Sequence, residues 1–130
     1  PVYHDGYLYG CSGRHLSNAE LRCIDWKTGK VQWKIPDLTR TSLTSIDGHF
    51  LCLAEDGILR LFKADPSDYV EVASLNLIPR AAGPRIIGEG STAAEVDRDP
   101  FWAAPVVSHG LMYVRGGGKL FCYELIPEKR

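Results

Sequence analysis

Four cysteines, four histidines and a pair of closely spaced aspartates are the side chains in this sequence best equipped to bind a metal or attack a substrate. A zinc site wants close ligand pairs such as C-x2-C, whereas Cys11, Cys23, Cys52 and Cys122 are scattered along the chain. The expected role for them is that of small hydrophobes on buried strand faces. His4, His15, His49 and His109 sit at or beside turns, and no serine or cysteine lies in a context that would make it a nucleophile with a histidine base. Asp97 and Asp99 precede Pro100-Phe101-Trp102, and two carboxylates that close together are a start on a calcium site. Their spacing is not that of an EF-hand loop, so a solvated role is expected. Gly88-Glu89-Gly90-Ser91-Thr92 has the glycines of a phosphate loop but neither its lysine nor the helix that would turn N–H groups toward an anion. Trp26, Trp33 and Trp102 are suited either to stacking a ligand ring or to wedging between layers of the fold, and the second is expected. Catalytic, cofactor-binding and metal-binding residues are thus all expected to be absent.

The elements that must carry these residues are bounded by composition. A chain of 130 residues with 45% apolar and 24% charged residues has the make-up of a globular domain with a core. Fifteen basic against sixteen acidic residues give a net charge of -1, which leaves no electrostatic footprint for nucleic acid or an anionic membrane. No apolar run reaches the roughly 18 residues that cross a bilayer. The chain opens at Pro1 on a strand-like segment, so any export signal is expected to have been removed or never to have been present.

Internal self-similarity is the strongest organising signal. Asp5-Gly6-Tyr7-Leu8-Tyr9, Asp47-Gly48-His49-Phe50-Leu51 and His109-Gly110-Leu111-Met112-Tyr113 each place a turn glycine before an apolar strand. Each is followed, after a second turn, by a related strand: Leu21-Arg22-Cys23-Ile24-Asp25, Leu59-Arg60-Leu61-Phe62-Lys63 and Leu120-Phe121-Cys122-Tyr123-Glu124. Gly6 and Gly48 are 42 residues apart, a propeller-blade length, and Gly48 and Gly110 are 62 apart. The longer interval implies an insertion of roughly 20 residues. The alternation predicts strands and no helix. Strands are expected over 1–4, 7–10, 20–25 and 31–35 in a first blade (1–36), and over 42–46, 50–54, 58–63 and 69–74 in a second (41–78). An insertion loop then covers 79–99, and strands over 104–108, 112–114 and 120–125 form an incomplete last blade (100–126) with Gly116-Gly117-Gly118 as its turn. On this alignment Cys11 and Cys23 fall on neighbouring strands, where a disulfide is geometrically conceivable.

The stretch from Cys23 through Asp25, Thr28, Gly29 and Lys30 to Trp33 resembles the A-x-D-x-x-T-G-K-x-x-W tryptophan-docking motif of pyrroloquinoline-quinone (PQQ) type propeller repeats, with Cys for Ala at its first position. Each residue type suits a structural role, Asp25 to accept turn N–H groups, Gly29 to take a positive φ, and Trp33 to offer a broad apolar face. Pro105-Val106-Val107-Ser108-His109-Gly110-Leu111-Met112-Tyr113-Val114 is similar to the P-V-x-x-x-G-x-x-Y-V strand pair of the same repeats. The second and third blades lack the tryptophan motif, Lys63 standing where the first blade has Asp25.

The resemblance implies an all-β fold, a β-propeller fragment of about three four-stranded antiparallel blades. Three blades cannot close a ring, so the remaining blades of the same protein are the expected partners, with another protein as a further one. Propellers of this kind often complete the last blade with a strand from the chain's beginning, which would make Arg130 the natural C-terminus and place further blades before Pro1. Both catalytic and non-catalytic members carry the docking motif. A non-catalytic scaffold or binding surface, extracytoplasmic as most such proteins are and without a cofactor, is the leading expectation. The alternatives are a fragment of a PQQ- and calcium-dependent alcohol or sugar dehydrogenase whose active site lies outside this segment, and a WD40-type interaction propeller. Against the last, Asp25-Trp26 reverses the WD dipeptide.

Overall fold

The structure is a computed structural model that describes residues 1–13, 18–78 and 100–126. It is all β among the described residues apart from a single 3-10 residue at Asn18, with eleven strands in three antiparallel sheets. Sheet 1 runs β1 (Val2–His4), β2 (Tyr7–Ser12), β3 (Glu20–Asp25) and β4 (Val31–Pro36). Sheet 2 repeats that order with β5 (Thr41–Ile46), β6 (His49–Ala54), β7 (Ile58–Lys63) and β8 (Glu71–Asn76). Sheet 3 has β9 (Val106–Ser108), β10 (Leu111–Gly116) and β11 (Lys119–Glu124). Each is a meander in which consecutive strands pair, the arrangement of propeller blades, and the three do not close into a ring. The insertion at 79–99, with Asp97, Asp99 and the run Gly88 to Thr92, lies outside the described residues, as do His15 and Arg130.

Turn chemistry fixes the repeat. The first hairpin of every sheet closes through two residues that both have positive φ: Asp5 and Gly6 (45° and 90°), Asp47 and Gly48 (44° and 69°), His109 and Gly110 (52° and 75°). That is the type I′ geometry whose twist matches a two-residue hairpin. Equivalent turns start equivalent strands, so Tyr3↔Leu8, Ser45↔Phe50 and Val107↔Met112 are the same cross-strand pair in the three sheets. In sheet 3 the second turn is Gly117-Gly118, with Gly116 ending β10.

One strand departs from the spacing. β8 begins at Glu71 instead of Tyr69, because Asp65 and Asp68 side chains tie down the preceding loop by accepting from the Ser67 and Tyr69 N–H groups, each at 2.8 Å. A register shift at Leu61/Phe62 in β7 is mirrored by one at Cys23/Ile24 in β3.

Burial follows the stacking. From Phe50 to Ala54 every β6 residue is buried, because sheet 2 is covered on both faces. Phe50, Cys52 and Phe62 pack with Tyr9, Leu21 and Cys23 of sheet 1; Leu51, Leu53 and Leu59 pack with Met112 and Val114 of sheet 3. The outermost strand β8 is exposed along its whole length.

The two junctions are filled differently. Between sheets 1 and 2 the filler is Trp33 of β4. Its positional counterpart on β8 is Ala73, since Trp33 pairs with Cys23 and Ala73 with the equivalent Leu61. Between sheets 2 and 3 the space is taken by Leu77 and by Phe101, which is 2% exposed. Phe101 lies so close to the β10 backbone that a Cβ at Gly116 would overlap its ring. Gly116 is therefore needed for close approach, its φ being ordinary. Phe101→Ala should cost about 3–5 kcal/mol by emptying that junction, measurable by urea unfolding. An effect below about 1 kcal/mol would show that Phe101 does not hold sheets 2 and 3 together.

Candidate functional site

Of the residues singled out by the docking motif, Cys23, Asp25, Thr28, Gly29, Lys30 and Trp33, all lie on β3, β4 and the turn between them. Asp25 Oδ1 accepts from the N–H groups of Lys27 (2.9 Å) and Thr28 (2.8 Å). Gly29, at φ 71°, donates to the Asp25 carbonyl at 2.8 Å, and Lys30 N–H reaches Thr28 Oγ1 at 3.3 Å. The Asp25 N–H closes the turn on the Lys30 carbonyl at 2.9 Å. This turn launches β4 with Trp33 aimed at sheet 2, where the indole N–H donates to the Asp65 carbonyl at 2.9 Å. Around the indole stand Tyr9, Phe62 and Tyr69, with ring centroids at 5.9, 6.1 and 5.6 Å. Cys23, fully buried opposite Trp33, backs the indole with a small apolar side chain. The motif residues thus form a joint between two sheets.

Trp26 and Trp102 are not wedges of that kind: they are 62% and 64% exposed. Trp102 belongs to a cluster that the sequence did not reveal. Glu55, 4% exposed at the end of β6, accepts from Arg40 Nε (2.8 Å) and Nη2 (3.2 Å) and from Trp102 Nε1 (3.0 Å). Arg40 also lies over the Trp102 ring, its guanidinium carbon 5.7 Å from the centroid. A buried carboxylate so fully engaged is compensated. The cluster ties the link between β4 and β5, the β6–β7 turn and the approach to β9, with further bonds from Glu55 N–H to the Arg40 carbonyl and from Phe101 N–H to the Glu55 carbonyl. Ser42 and Thr44 of β5 add hydrogen bonds to the carbonyls of Trp102 and Pro105. In the sequence Glu55 and Arg40 carry no signal, because their pairing joins positions fifteen residues apart across a fold yet to form.

The other chemistry-bearing residues stay apart. Among the described residues no group of three His, Cys, Asp or Glu side chains could hold a metal. His49 and His109 are at turns, bonded to the Asp47 carbonyl and the Ser108 hydroxyl, and His4 lies 3.5 Å from Asp5. All four thiols are free: Cys11 faces Leu21 and Cys23 faces Tyr9, so the two are offset along β2 and β3. Cys23 and Cys52 are buried as expected; Cys122 is exposed instead, on a face of sheet 3 that nothing covers. Burial pushes the Cys52 thiol up to about 11, so it is no nucleophile at neutral pH. A cleft of about 270 Å³ lies between Pro1, Val2, Gly10 and Cys11 of sheet 1 and Thr41, Ser42 and Leu43 of β5. No acid, base or aromatic side chain lines it.

No protein-family model matches this chain, and no curated protein matches it.

The turn and the cluster each make a measurable contribution to stability. Backbone N–H groups, Thr28 first, hold the exposed Asp25 carboxyl below its ordinary value, and the Ser67 hydroxyl does the same for Asp65. Depressed carboxyl values favour folding above the ordinary aspartate value of about 3.9, and that contribution disappears as pH falls through the folded values. Asp25→Asn should therefore lower the unfolding midpoint at neutral pH, with the difference from the parent shrinking on acidification; a constant difference would contradict this origin. Glu55→Ala should cost about 2–3 kcal/mol by orphaning the Trp102 N–H and the Arg40 guanidinium, read by chemical unfolding.

Proposed function

We propose that this chain is a non-catalytic, PQQ-like propeller repeat segment, part of a larger ring, acting as a rigid scaffold or binding surface in an extracytoplasmic setting. One observation carries the reading: three consecutive meander sheets begin on the same type I′ turn and stack face to face, with the Trp33 indole docked on the Asp65 carbonyl of the next sheet. Residue types that do chemistry elsewhere act here as turn caps, core fillers and junction ties. Such an arrangement suits a surface that holds its shape while a partner docks on it.

The bare outer faces of sheets 1 and 3 support a larger assembly. Tyr3 (60% exposed) on one side and Val106 and Leu120 (59% and 71%) on the other lie on sheet faces that a repeat architecture covers with neighbours. Sheet 3 also has three strands where the others have four, leaving β11 with an unpaired edge of the kind that accepts another strand. Among the described residues no helix is long and apolar enough to cross a membrane.

The deciding experiment is titration of the complete gene product with PQQ and calcium, followed by tryptophan fluorescence and by a dye-linked alcohol oxidation assay. Neither saturable binding nor turnover is expected. Binding with turnover would replace the scaffold reading by that of a quinoprotein dehydrogenase whose catalytic groups lie in other blades.

A further inference from the structure

The uncovered face of sheet 1 has counterparts that are covered in the other two sheets, and comparing them shows what kind of surface it awaits. Position by position, Leu8, Phe50 and Met112 correspond, as do Ile24, Phe62 and Tyr123, because each pair is directly opposed in its sheet. In sheets 2 and 3 these residues pack against the preceding sheet. In sheet 1 the same positions, with Tyr3 and Val31 beside them, form an apolar face with nothing over it; Tyr3 is 60% and Val31 40% exposed.

Trp26 stands at the rim of that face, and its backbone fixes its counterparts. The Trp26 N–H donates to the Gly6 carbonyl (3.0 Å), the Ala64 N–H to the Gly48 carbonyl (2.9 Å) and the Leu125 N–H to the Gly110 carbonyl (2.8 Å). Trp26, Ala64 and Leu125 therefore occupy one repeat position on the receiving side of a junction. On the giving side the matching position is Trp33 in sheet 1 and Ala73 in sheet 2. Between sheets 1 and 2 a large giver meets a small receiver, Trp33 with Ala64, and both belong to one packed cluster. Between sheets 2 and 3 the sizes are reversed, Ala73 with Leu125. Junctions of fixed spacing conserve volume, and two large groups at one position would overpack it.

We propose that the bare face of sheet 1 is covered by a further four-stranded antiparallel sheet of the same polypeptide whose fourth strand carries a small residue at the position matching Trp33, Trp26 supplying the aromatic bulk from the receiving side. This rests on the reading of the chain as part of a larger ring. The occupant is a sheet because each sheet here covers the corresponding face of its successor in the chain. Trp26 is already set as a wall, with Tyr3 edge-on at 6.3 Å and 80°. The polar groups of its turn are directed inward, Asp25 Oδ1 holding the Lys27 and Thr28 N–H groups. An aromatic corner without free polar groups beside it suits an apolar sheet face better than a sugar ring.

The test is hydroxyl-radical footprinting of the complete gene product, with oxidation read residue by residue by mass spectrometry. Tyr9, which is fully buried, and Trp102, which is 64% exposed, serve as internal references. Tyr3 and Trp26 are expected to oxidise at least roughly fivefold more slowly than Trp102, at every protein concentration, as residues of a filled intersheet junction should. If they oxidise as fast as Trp102 while Tyr113 on the far face of sheet 3 is protected, the inference fails and the ring stands. Exposure of Tyr3, Trp26 and Tyr113 together would overturn both. Protection that disappears on dilution would assign the face to a second copy and overturn the inference, as would a large aromatic found at the matching position of the protecting sheet.

Discussion

Face-to-face burial of sheets is the constraint on which this structure depends. A meander of three or four short strands has two faces, and neither is stable bare when its strands are built from Phe, Leu, Cys and Val. Sheet 2 shows the satisfied case, with β6 buried from Phe50 to Ala54 because sheet 1 covers one side and sheet 3 the other. In a strand covered on both sides the alternation of apolar and polar residues disappears, which is why His49-Phe50-Leu51-Cys52-Leu53-Ala54 reads as a nearly continuous apolar run. Sheets 1 and 3 each have one covered and one open face, and their exposed residues, from Tyr3 to Leu120, are what that architecture leaves at its margins.

Stacking alone does not set the angle or spacing between sheets; fillers at the junctions do. Trp33 does so between sheets 1 and 2, anchored by a hydrogen bond to a backbone carbonyl that a side-chain substitution at Asp65 would leave in place. Phe101 does so between sheets 2 and 3, lodged against Gly116 and Gly57. The first comes from a strand and the second from the segment leading into β9, so the chain meets one packing requirement by two routes. Glu55 and Arg40 then fix the second route, holding Trp102, the neighbour of Phe101, by its indole N–H.

Legibility in the sequence followed the range of the interaction. Type I′ turns are local, requiring positive φ at adjacent residues, so Asp5-Gly6, Asp47-Gly48 and His109-Gly110 announced the three hairpins and their spacing announced the repeat. The docking turn was also local: Asp25, Thr28 and Gly29 bond to one another within five residues. Phe101 was not legible, since nothing near it specifies that it replaces an absent tryptophan on β8. Neither was the start of β8, displaced by the aspartate-capped loop that turns Tyr69 toward Trp33. Trp26 looked like a second wedge because it adjoins the motif, yet its side chain points to the uncovered side of sheet 1.

These distinctions bear on where activity can reside in such a fold. Residues on β6, β7 and β10 are committed to burial, and the polar side chains of the turns are committed to backbone N–H groups. A buried thiol such as Cys52, its ionisation opposed by burial, illustrates the consequence: reactive residue types in the stacked region are neutralised by their surroundings. Chemistry or recognition must then come from loops that leave the sheets and from surfaces shared with further sheets. The rigid stack gives such loops fixed take-off points, as Arg40, Glu55 and Trp102 do at one end of sheet 2, and this division of labour is what makes a scaffold the economical reading of the chain.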